Sequence, residues 1–115
     1  MMVRLYTGND GASHFEEITP PFSWDGDAER APLEAATGVT FSRSPAGRFI
    51  DWHNAPRRQY VIILSGHVEY RIGDGTVRRL GPGDVLLAED LTGQGHTTRV
   101  VGDQPRLSAT IPLAE

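Results

Sequence analysis

The chain has no cysteine at all, which rules out disulfides, a thiolate nucleophile, and zinc or iron–sulfur centres held by cysteine. Any metal would have to rest on His, Asp, Glu, Gln or water. A large excess of charge of one sign is also missing: 11 Lys and Arg stand against 15 Asp and Glu, a formal net charge of −4 with a pI near 5.5. Such a balance leaves no basic footprint for nucleic acid or for an anionic membrane. Long hydrophobic runs are missing too, since the longest, residues 60–64, is far too short to span a bilayer, and the first residues hold no apolar stretch of signal-peptide length. A soluble, cytoplasmic protein is the expectation.

Glycine and proline are plentiful, 13 and 8 in 115 residues, and they fall between short apolar runs. That pattern predicts many strands joined by tight turns. A chain of this length forms one domain and buries roughly 65% of its unfolded surface, enough for one core. Residues 3–6 and 14–18 read as short strands, followed by a proline-punctuated acidic segment, 19–36, with no sustained period. We read residues 1–36 as an N-terminal arm that packs on the barrel or on a partner subunit, anchored by Phe22 and Trp24, and residues 37–115 as the barrel. Strand signals then come regularly, at 39–42, 48–52, 59–65, 68–72, 76–80, 85–88, 96–100 and 107–111. Gly73-Asp74-Gly75 and Gly81-Pro82-Gly83-Asp84 supply turns between them. The fold class is all-β, an antiparallel barrel or jelly roll, with an immunoglobulin-like sandwich as its rival.

The stretch 47–66, GRFIDWHNAPRRQYVIILSG, carries the chemistry. His53 and Gln59 are an even number of residues apart, so on one extended strand they share a face with Asp51, Ala55 and Arg57. His96 and Thr98 share a face of a later strand. No Gly-x-Ser-x-Gly elbow supports serine hydrolysis, and the glycines of 92–96 lack the following helix of a phosphate loop. They read instead as turn residues that admit His96 to a cavity.

Gly47, His53, Ala55, Gln59 and Gly66 match the spacing of the first cupin motif, and Gly83, Gly93 and His96 match the second more loosely. The chain resembles the cupin superfamily over roughly residues 37–111, with Ala55 where the family has a second His and Gln59 where it has Glu. It resembles more closely small uncharacterised bacterial cupins with Trp-His-x-Ala-Pro and Asp-x-x-Gly-x-Gly-His segments, here residues 52–56 and 90–96. The resemblance implies a double-stranded β-helix, a homodimer, and a cavity for a small organic molecule. Carried over position by position, it implies a divalent transition metal, zinc, iron, manganese or nickel, on His53, Gln59 and His96, with no organic cofactor. Asp51 would restore the lost carboxylate if the strand is regular, and a bulge at Pro56 would break that register.

Arg57, Trp52, Tyr70 and Thr98 are the candidates for contact with the bound molecule. Arg57 either faces inward toward Asp51 or an anionic ligand, or flanks the mouth with Arg58 as a solvated charge. Glu89 and Asp90 either cap turns or hold the second nitrogen of His96. The functional expectation is a small cupin that binds a small organic molecule, anionic or neutral, in the barrel cavity and, if it is catalytic, acts as a metal-dependent dioxygenase, isomerase, cyclase or lyase. The alternative is a non-catalytic sensor with a metal-free pocket, and a third reading is an interaction domain presenting Trp24 and the acidic segment 29–34.

Overall fold

The computed structural model describes residues 1–114, and among them there is no helix, only strands and turns. Twelve strands form in chain order: β1 Met2–Thr7, β2 Ser13–Ile18, β3 Ser23–Asp25, β4 Ala28–Arg30, β5 Thr40–Ser44, β6 Phe49–His53, β7 Gln59–Ser65, β8 His67–Arg71, β9 Val77–Leu80, β10 Val85–Glu89, β11 His96–Val101 and β12 Arg106–Pro112. Ten of them make two facing sheets. One has six strands in the order β2-β1-β10-β7-β12-β5, the other four in the order β6-β11-β8-β9. Every pairing is antiparallel except β1 with β10.

The first eighteen residues enter the six-stranded sheet, where the alternation of Val3 and Leu5 with Arg4 sends two fully buried side chains inward. The segment after them holds the short hairpin β3–β4, turned at Gly26, with Trp24 73% exposed. The chain then returns to the six-stranded sheet, bridging Ala36 to Leu113 at the end of β12.

The interior between the sheets is of two kinds. Val3, Leu5, Val61, Ile63, Val68, Leu80 and Leu86 make a continuous aliphatic core, closed at its edge by Phe15. β-Branched and Leu side chains on facing strands interdigitate well across a sheet pair, which is why these strands read so clearly in the sequence. Toward the other end of the same strands the lining turns polar, and β7 shows the change: Ile63 lies in the core and Gln59 in the cavity.

Candidate functional site

The polar end encloses a cavity of about 160 Å³, smaller than the roughly 300–1,000 Å³ of sites for drug-sized ligands. His53, Gln59 and His96 all line it, so residues of the consecutive strands β6 and β7 meet one from β11, distant in sequence. Cross-strand pairing does most of this work, since β6 and β11 place His53 directly opposite His96. Their ring centroids lie 4.4 Å apart, and the edge of Tyr70 packs on His96 at 5.9 Å. Gly95 makes the approach possible. It sits at φ 77°, and a Cβ there would collide with the carbonyl oxygen of His53.

Both imidazoles are held from behind. His53 Nδ1 lies 2.7 Å from the backbone carbonyl of Asp51, which can only accept, so that nitrogen carries the proton. His96 Nδ1 lies 2.6 Å from Oδ2 of Asp90, a fully buried carboxylate that also accepts from the Ser13 hydroxyl at 2.9 Å. Of the two roles open to Asp90, it takes the second: it orients His96 rather than capping a turn. With each Nδ1 occupied as a donor, the neutral form of either ring carries its lone pair on Nε2. Glu89, its neighbour, is engaged elsewhere, accepting from Arg4 Nε and Arg58 Nε at 2.6 Å each. Burial pushes the Glu89 carboxyl up, but the two guanidiniums outweigh it and hold the group below the usual carboxylate range.

Not every residue singled out in the sequence reaches the cavity. Tyr70 and Thr98 do, both almost fully buried. Asp51 and Trp52 do not; they line a groove on the outer face of the four-stranded sheet with Phe49, Glu69 and Arg99. The cause is a bulge placed upstream of Pro56. His53 pairs with His96 but Ile50 with Thr98, three steps along β6 against two along β11. The extra residue inverts the period of two, so Arg48, Ile50 and His53 face in while Asp51 faces out. Arg57 is exposed and absent from the cavity wall.

Other wall residues had no motif to announce them. Arg106, Ser108 and Thr110 face the cavity from β12, Ser42 and Ser44 from β5, and Arg48 from the entry to β6. The alternation Arg106-x-Ser108-x-Thr110 was readable, but periodicity does not say which face of a strand is inside.

The divalent ion implied by the cupin resemblance can be tested against this donor set. The cavity offers two neutral imidazoles and the neutral Gln59 amide, and no carboxylate lines it. Among the described residues no group of three or more His, Asp or Glu side chains is placed to hold an ion. Two guanidiniums, Arg48 and Arg106, share the same space. Metal sites of this kind need three or four protein ligands and charge to offset the ion, so these residues do not fit a resident divalent ion.

A face-to-face sheet pair with a polar cavity at one end fits a double-stranded β-helix. Solved structures give the class its name. The chain is 26% identical to an uncharacterised conserved protein with a double-stranded β-helix domain from Klebsiella pneumoniae, covering 71% of this chain and 76% of that one with a TM-score of 0.52. A DMSP lyase from Ruegeria pomeroyi is 25% identical over 82% of this chain, with a TM-score of 0.56, and the chain spans 47% of that protein's length. A cupin domain from Bordetella pertussis, 18% identical with a TM-score of 0.52, matches across 91% of this chain and 95% of its own. The chain is thus a small protein of the cupin fold. No protein-family model matches it, and no curated protein does.

Proposed function

We propose that the barrel cavity binds a small organic molecule and that His96, backed by Asp90, accepts a proton from it, with His53 and Gln59 orienting the molecule. The observation that carries this reading is the tethering of both Nδ1 atoms on two histidines of one cavity wall, so that Nε2 is the acceptor of each ring in its neutral form. A proton taken at His96 Nε2 makes an imidazolium beside the buried Asp90 carboxylate. That arrangement stabilises the charge and fixes the tautomer without moving the proton to Asp90. Reactions opened by proton abstraction suit it, namely isomerisation, cyclisation and lyase-type elimination. A lyase among the similar structures supports placing elimination first. A binding module that does not turn its ligand over is the second reading, favoured by Ala55, whose small buried side chain leaves the wall one imidazole short.

A thermal-shift screen of small carboxylates and phenols, followed by turnover assays on the hits, tests this. His96→Ala is expected to abolish turnover while changing binding only a few-fold, about 1 kcal/mol or less. Hits that bind without conversion establish the second reading. Purified protein holding stoichiometric transition metal that is lost in His53→Ala and His96→Ala would overturn the metal-free assignment.

A further inference from the structure

Among the described residues, Arg106 is the one cavity-wall residue with a buried polar side-chain atom that has no hydrogen-bond partner. Its side chain is only 8% exposed, and arginine stays protonated at any pH a folded protein meets. The Nε atom is buried with no hydrogen-bond partner, and Nη1 makes a single long bond, 3.5 Å, to the Tyr70 hydroxyl. A guanidinium removed from water without an anion is costly, and chains tolerate it where a ligand supplies the counter-charge. Arg4 and Arg58 show the ordinary solution in this same molecule, each paired to Glu89. No ion pair joins Arg106 or Arg48 to any carboxylate among the described residues.

We infer that the β5–β12 wall is a carboxylate-binding site, with Arg106 as its anchor and Arg48 as a second cation at the rim. This rests on the cavity being a small-molecule site, as proposed above, and adds the chemical class and orientation of what it takes. A guanidinium presents paired N–H donors that match the two oxygens of a carboxylate. Around it stand single hydroxyl donors. Arg48 Nη1 donates to Ser44 Oγ at 3.2 Å, and Ser108, 1% exposed, neighbours Arg106 along β12. Burial raises the Tyr70 phenol, which keeps it a neutral donor beside the guanidinium. The cavity of about 160 Å³ lies below the roughly 300–1,000 Å³ of sites for drug-sized ligands. That suits a short-chain carboxylate and is too little for a nucleotide. With its carboxylate on Arg106, such a molecule extends its other end toward the histidine pair on the opposite wall.

The test compares propionate, lactate and pyruvate with propionamide and lactamide, following the Arg106 Nε–H resonance and the thermal transition of the intact chain. Carboxylates are expected to shift the Arg106 resonance and raise the transition, less so at high salt, while the amides do neither. Arg106→Met removes an unpaired buried charge, so it should fold at least as stably as the parent and bind carboxylates about ten- to a hundred-fold more weakly. Arg106→Lys keeps the charge without the fork and should fall between. Equal responses to carboxylate and amide, no response to any carboxylate, or undiminished carboxylate binding by Arg106→Met and Arg106→Lys would each overturn the site. A response to inorganic phosphate in place of the carboxylates would overturn the assigned class. His96→Ala separates the two proposals: carboxylate binding that survives in it while depending on Arg106 upholds this site whether or not turnover is found. Turnover lost in His96→Ala with no dependence on Arg106 upholds only the earlier reading.

Discussion

The two ends of this barrel's interior are built on the same strands and obey opposite rules. At one end Val3, Leu5, Ile63, Val68, Leu80 and Val100 are at most 2% exposed and bring no polar atom inside. At the other, a short distance along β7, β11 and β12, the wall is Gln59, His96, Thr98, Arg106 and Ser108. Apolar burial stabilises the first end without needing partners. The second contains groups that must each find a partner, and two atoms, Asp90 Oδ1 and Arg106 Nε, are buried without one. A fold that tolerates unmet polar atoms at one place keeps the stability for it elsewhere, so the aliphatic end should set stability and the polar end should set binding.

The largest break in that comparison comes from the core. Ile63→Ala should lower unfolding free energy by about 2–5 kcal/mol in denaturant melts, while the folded fraction keeps its ligand response. Loss of ligand response in proportion to nothing but Ile63 would show the ends to be coupled. Next is Asp90→Ala, expected to cost about 1–3 kcal/mol because His96 Nδ1 and the Ser13 hydroxyl both lose their acceptor. Imidazole ¹⁵N shifts should then show His96 moving from a pure Nδ1–H tautomer to a mixture, and an unchanged tautomer would deny Asp90 its orienting role. The smallest effect is acid sensitivity from Glu89. Its folded-state carboxyl lies below the usual range, so its contribution is present in full above the unfolded value of about 4.3 and is lost as pH falls through the folded one. The partner arginines are more than a third exposed, so the contribution is about 1 kcal/mol. Stability measured between neutral pH and pH 3 should fall less in Glu89→Gln than in the parent.

Much of the fold was legible. The strand expected at 59–65 is β7 residue for residue, Gly73-Asp74-Gly75 closes β8 onto β9, and the double-stranded β-helix implied by the cupin resemblance is the fold observed. The site was legible in part. His53, Gln59 and His96 line one cavity, as do Tyr70 and Thr98, although His53 and Gln59 lie on separate strands of the two facing sheets and not on one extended strand. Asp51 went the other way because one inserted residue reverses the alternation along β6, whereas Trp52, next to His53, takes the opposite face by alternation alone. Arg106 escaped notice because an arginine on an alternating strand reads as solvent-facing.

By itself the sequence determined the strands outside the hairpin β3–β4, their turns and the pair of histidines, all of which depend on neighbours a few residues away or on fixed spacing. Tertiary structure decided which face of β12 is inside, where β6 bulges, and that Ser13 and Asp90, 77 residues apart, hold His96 from behind. Those outcomes come from contacts between distant segments, and an alternating strand carries no local mark of which side its partner sheet will cover. The opposing wall of histidine and arginine exists only once the two sheets close.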